Sequence, residues 1–227
     1  MRIPARHMGP PGSANGGITC GRVAAYVAAP VAQVTLRRPP PLDTDLRVDA
    51  SGEAVRLLDG DDLVAEAEPG RLDVEPPPAV GVDEAAAAAQ HYAGLSVHPF
   101  PGCFVCGTDR EPPDGLGLRP GPVGTDHVAA VWTPEAADRT MVWAALDCPG
   151  GWAEDLPGRP MVLGRMALRL DAEPEPGQPH VVQGWIVRRD GRKSFSGTSL
   201  RDADGRLLAL AQATWIAVDV DKVGRHS

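Results

Sequence analysis

The chain has 227 residues, 43% of them hydrophobic, which is enough for one large domain or two small ones around a real core, while 24 Pro and 26 Gly argue for many turns and few long elements. Thirty acidic residues against 22 basic ones give a net charge of −8, so a general nucleic-acid surface or anionic-membrane patch is excluded and only local arginine clusters remain as phosphate contacts. No window approaches the ~20 apolar residues of a membrane span and MRIPARHMGPPG lacks the apolar core of a secretory signal, so the expected setting is cytoplasmic, with the four cysteines held as thiols.

In chain order, Asn15-Gly16-Gly17 opens a small-residue segment, ITCGRVAAYVAA, that can be helical and that Pro30 stops. Asn15 suits an N-cap, and a glycine within the segment suggests close packing against a neighbour. VAQVTLRR, DLRVDAS, EAVRLLDG and DLVAEAEP then read as strands, with PPPLDT as a rigid break and Ser-Gly and Asp-Gly as turns. A Pro run, an Ala-rich helix from about Asp83 to Tyr92 and a Gly/Pro-rich loop containing CFVCG follow; Asp83 and Glu84 suit the start of that helix because acids favour its positive end.

DHVAAVWTP reads as a further strand and TMVWAALDCPGGWA as a buried helix carrying a second glycine doublet. The order then repeats: MVLGRMALRLDA, a Pro-rich break, HVVQGWIVRRDG, RKSFSGTSLRDADG and RLLALAQATWIAVD. VTLR matches MALR, RVDASGEAV matches VRRDGRKSF, and RLLDGDDLVAEAE matches SLRDADGRLLALAQA, in the same order in both halves. The expected organisation is therefore an N-terminal unit over 1–80, a linker with a short helix and the Cys-x-x-Cys loop over 81–125, and a C-terminal unit over 126–227.

The NGG at the helix entry, the paired strands of DGRKSFSGTSLRDADGRLLALAQATW and the CFVCGTDREPPDGLGLRP segment resemble the hotdog-fold thioesterase superfamily, acyl-CoA thioesterase-like and in tandem form. The resemblance implies an α+β double hotdog: two antiparallel sheets, each wrapping a central helix, forming an intrachain pseudo-dimer. It also implies hydrolysis, or at least binding, of acyl-CoA or another acyl thioester in a tunnel between the units, with no cofactor. Nucleic acid and membrane are not expected partners; self-association is left open. Single-unit relatives often carry an acid about two turns into the helix after the doublet, where this chain has GRVAAYV and no carboxylate. Any catalytic acid is then expected from the second half, at Asp147, Glu154 or Asp155.

The chemistry follows from residue types. A helix N-terminus offers unpaired N–H groups to a thioester oxygen, and Gly16 and Gly17 let that oxygen approach without a Cβ in the way; a tight turn explains the doublet equally well. Asn15 can cap the helix or orient the carbonyl or attacking water. Asp147 lies among apolar neighbours, where a carboxyl is costly unless paired or used as a general base. Gly150, Gly151 and Trp152 are candidate substrate contacts, and Arg192 and Lys193 at a hairpin are candidates for CoA phosphates, as are Arg37 and Arg38, although a solvated turn accounts for such charges too. Cys148 reads as a packed apolar residue. Cys103 and Cys106 supply two of the four ligands a structural zinc needs, so loop packing without metal is the expectation; His91, His98 and Cys148 can complete a site only through tertiary proximity.

Overall fold

The computed structural model describes residues 1–110, 114–136 and 138–223. Residues 111–113 of the expected linker, and residues 137 and 224–227 of the expected C-terminal unit, lie outside the described residues.

After a 3-10 turn at Ala5–His7, the chain forms α1 (Gly16–Ala24), followed by strands β1 (Val31–Leu36), β2 (Arg47–Asp49), β3 (Val55–Asp59) and β4 (Asp62–Pro69). Helix α2 (Val82–Ala88) comes next, then β5 (Gly121–Val123), β6 (His127–Trp132) and α3 (Arg139–Trp152). Four long strands end the fold: β7 (Met161–Leu170), β8 (His180–Asp190), β9 (Lys193–Arg201) and β10 (Leu207–Ala217). Helix α2 stops earlier than the alanine pattern predicts, because its last turn tightens into a 3-10 turn at Ala89–His91, a common ending for a helix. The short β5 has no alternating pattern to announce it.

All strand pairs are antiparallel, and they form one sheet in the order β2-β3-β4-β1-β7-β10-β9-β8-β6-β5. This corrects the expectation of two separate sheets. The cause is β1, which pairs with β4 on one side and, through Val31–Thr35, with Arg169–Arg165 of β7 on the other. An exposed β1 edge would be a row of unpaired amides, and β7 covers it.

Helix α1 packs on β1, β3, β4 and β7, α3 packs on β6 through β10, and the two helices pack on each other. Their approach depends on glycine. A Cβ on Gly17 would lie 2.7 Å from both Asp147 Cβ and Trp143 O, and one on Gly21, a turn later, 2.9 Å from Thr140 Cα. Such distances are below any real Cβ contact, so the α1 backbone touches α3 directly. Among the described residues, no helix is long and apolar enough to cross a membrane.

Candidate active site

The contact between α1 and α3 brings the two sequence signals together. Asn15 caps α1, its Oδ1 accepting from the Ile18 N–H at 2.9 Å, while its Nδ2 donates to Asp147 Oδ2 at 3.0 Å. The Gly17 N–H donates to the same carboxylate oxygen at 2.9 Å. Asp147 is 2% exposed, and its other oxygen, Oδ1, has no hydrogen-bond partner. Burial pushes its pKa up to about 7; the Gly17 N–H and Asn15 oppose this and the negative character of Cys103 adds to it.

Asp147 and Asn15 line a small cavity of about 50 Å³, whose wall also includes Gly16, Trp152, Leu163 and Trp215. The space is large enough for water, which needs roughly 10–15 Å³, but too small for an acyl chain. It adjoins a crevice of about 500 Å³, and Pro10, Gly16, Val162 and Leu163 border both. The crevice runs over the join between β1 and β7, from Leu36 to Val162 and Leu163, and is bordered by Arg37, Arg38 and Arg192. Arg37 pairs with Glu66, and Arg38 with Asp62 at 2.6 Å. Arg192 has no ion pair among the described residues; it occupies a two-residue turn after Gly191, whose φ of 55° suits the first position of such a hairpin.

The structure divides the sequence-selected residues into groups. Asn15, Gly16, Asp147 and Trp152 meet at the cavity, and Arg192 borders the crevice. Gly17 is placed differently from the expectation: its N–H is committed to Asp147 and so is not open to a thioester oxygen. In the first turn of α1, the amides of Ile18 and Thr19 are also taken, by Asn15 Oδ1 and Asn15 O, which leaves Gly16, a residue of the cavity wall, with the remaining amide of that turn. Gly150 and Gly151 line neither space. A Cβ on Gly150 would lie 2.6 Å from Ser196 Oγ, and one on Gly151 2.9 Å from the Trp215 ring, so this doublet seats α3 on β9 and β10. Lys193 is exposed at the start of β9 and borders neither space. Glu154 is engaged by Arg189 at 2.8 Å and Ser194 at 2.5 Å, away from Asp147.

Of the three residues that could join Cys103 and Cys106 only through tertiary proximity, the structure brings in Cys148. The sulfurs of Cys103, Cys106 and Cys148 all lie within 4.8 Å of one another, buried beside the cavity. His98 is not among them: its Nδ1 accepts from Phe100 N–H at 3.0 Å, so its Nε2 donates to Cys106 O at 3.0 Å and braces the loop. His91 is exposed. The spacing of CFVCG was visible in the sequence, whereas the convergence of Cys148 depends on α3.

No protein-family model and no curated protein matches the sequence. Solved structures do match. A thioesterase candidate from Novosphingobium aromaticivorans aligns with a TM-score of 0.61 at 16% identity, covering 96% of this chain and 94% of its own. A hotdog-fold protein of unknown function from Alicyclobacillus acidocaldarius aligns with a TM-score of 0.56 at 12% identity, over 92% of this chain and 88% of its own. The acyl-CoA thioesterase II TesB2 of Mycobacterium marinum gives 0.50 at 10% identity, over 83% and 79%. At these identities the likeness establishes the fold: the chain shares the hotdog fold of these proteins along most of its length.

Proposed function

We propose that this chain is a thioester hydrolase of the acyl-CoA thioesterase type, working in one site where an N-terminal unit (1–80) and a C-terminal unit (126–227) meet. The observation that carries this reading is the buried Asp147 carboxylate, held through one oxygen by Asn15 and Gly17 while the other has no hydrogen-bond partner, in a residue that lines a water-sized space together with Gly16. In this reading the thioester carbonyl oxygen accepts from Gly16 N–H at the positive end of α1. Asp147 takes a proton from water as the water oxygen bonds to the carbonyl carbon. The C–S bond then breaks, and the proton returns from Asp147 to the departing thiolate. Asn15 positions the carboxylate, and the crevice receives the longer parts of the substrate, with Arg192 near the phosphates of a CoA carrier.

Thiol release from short, medium, long and aromatic acyl-CoAs tests this. Asp147→Asn keeps the shape and removes the base, so kcat is expected to fall by about 10²–10⁴-fold. Unchanged turnover in that variant would remove Asp147 from the chemistry. Tight acyl-CoA binding by the parent protein with no thiol release would instead make it a thioester-binding protein, a reading favoured by the absence of a carboxylate from α1.

A further inference from the structure

We propose that Cys103, Cys106 and Cys148 form a binding site for a single zinc(II) ion, with the fourth position completed from the adjoining cavity. Three observations carry this, and none of them depends on the thioesterase reading.

The first is distance. The three sulfurs lie within 4.8 Å of one another, and Cys103 Sγ is 3.7 Å from Cys148 Sγ. A tetrahedral ion with Zn–S bonds of about 2.3 Å sets its sulfurs ~3.8 Å apart. A disulfide requires about 2.05 Å. The separation therefore fits a shared ion and not a bond.

The second is the loop. Cys103-Phe104-Val105-Cys106-Gly107 folds back on itself, with Gly107 N–H donating to Cys103 O at 2.9 Å. A Cβ on Gly107 would lie 2.3 Å from Pro101 O and 2.5 Å from Cys103 O, so the turn admits only glycine there. The Asn15 Nδ2 reaches the Cys103 sulfur at 3.9 Å.

The third is architecture. Between the turn at Ala93–Leu95 and β5, the described residues of the chain form no helix or strand. Loops of that length inside a compact domain are uncommon unless something anchors them. An ion joining Cys103 and Cys106 to Cys148 fastens this loop to α3 one residue beyond Asp147. All three cysteines line the cavity, so a water there can supply the remaining ligand. Zinc(II) exchanges no electrons; the thiol protons pass to the buffer on binding.

The test uses the full chain, purified under reducing conditions, loaded with zinc(II) and freed of excess ion. About one zinc per chain is expected, with cobalt(II) giving intense sulfur-to-metal charge transfer and the visible bands of a tetrahedral site. Cys148→Ser should weaken zinc retention against a competing chelator by roughly tenfold or more, while Cys20→Ser, which alters a buried cysteine outside the group, should leave it unchanged. No retained zinc together with no cobalt charge-transfer band would overturn the proposal, as would an intact mass two daltons low, which indicates a disulfide. If the Cys148 variant does not fold, the cobalt titration of the parent chain decides the matter.

Discussion

Asn15 performs two separable jobs with two atoms, and substitution can remove them one at a time. Its Oδ1 caps α1 through Ile18 N–H, and its Nδ2 holds Asp147. Asn15→Ser keeps a good capping oxygen but is too short to reach the carboxylate, so it deletes the bond to Asp147, and with it the long 3.9 Å contact to Cys103 Sγ, while the cap remains. A hydrogen bond to a charged, buried group contributes about 1.5–3 kcal/mol, which sets the expected loss for the serine variant at about 2 kcal/mol. Asn15→Ala also loses the cap, a further ~1 kcal/mol, and should reach about 3 kcal/mol. Urea denaturation at constant m-value measures both. Thiol release should fall by about tenfold or more in both variants alike, because the cap is irrelevant to where Asp147 points. Equal stability of the serine and alanine variants would refute the cap, and parental stability in the serine variant would refute the bond between the helices.

Gly17→Ala forces a Cβ to 2.7 Å from Asp147 Cβ and Trp143 O, where ordinary contact begins at 3.4 Å, so the helices must part by some tenths of an ångström. The expected cost is ~1–3 kcal/mol by chemical denaturation, with a parallel fall in thiol release as the amide leaves Asp147. Gly52→Ala, at an open surface site, is the control. His7 is buried, and burial, followed by Arg22, Arg6 and Arg110, lowers its pKa to about 4. The unfolded chain therefore takes up a proton near pH 6.5 and the folded one only near pH 4, so stability falls between those values as pH drops. His7→Leu should flatten that part of the profile, and an unaltered slope would show that His7 does not cause it. Arg192→Ala should raise KM for a CoA ester by about fivefold at low salt with kcat preserved, an effect that fades at high salt; a KM that ignores ionic strength would place the phosphates elsewhere.

Much of the strand inventory was legible because Asp-Gly turns punctuate alternating patterns, as at Asp59-Gly60 and Asp190-Gly191, where both glycines have positive φ. The join of β1 to β7 was not, because edge pairing is fixed by which strand finds an open neighbour and leaves no local signature. The same division holds at the site. An acid amid VWAALDCPGG announces a buried carboxyl that needs partners, but the identity of those partners depends on how closely α1 lies on α3. That closeness is carried by Gly17 and Gly21, which in sequence look like helix-weakening residues. The second doublet misled for a related reason: Gly150 and Gly151 resemble Gly16 and Gly17 in letters, yet they mark the tight seating of a helix end on Ser196 and Trp215.

The two sheet-packed helices also explain why the site is built once. Helix α1 begins at Asn15, 2% exposed, with its first amides directed into the protein, whereas α3 begins at Asp138 and Arg139, both exposed. An N-terminus in solvent has water for its amides and exerts little pull on a carbonyl, since the same dipole is worth far more where water is excluded. The acid is distributed in the opposite sense: α1 has none, and α3 carries Asp147 in its buried interior. One helix therefore contributes the donors and the other the carboxylate. Neither could assemble the arrangement without the glycine contact that sets Gly17 N–H 2.9 Å from Asp147 Oδ2.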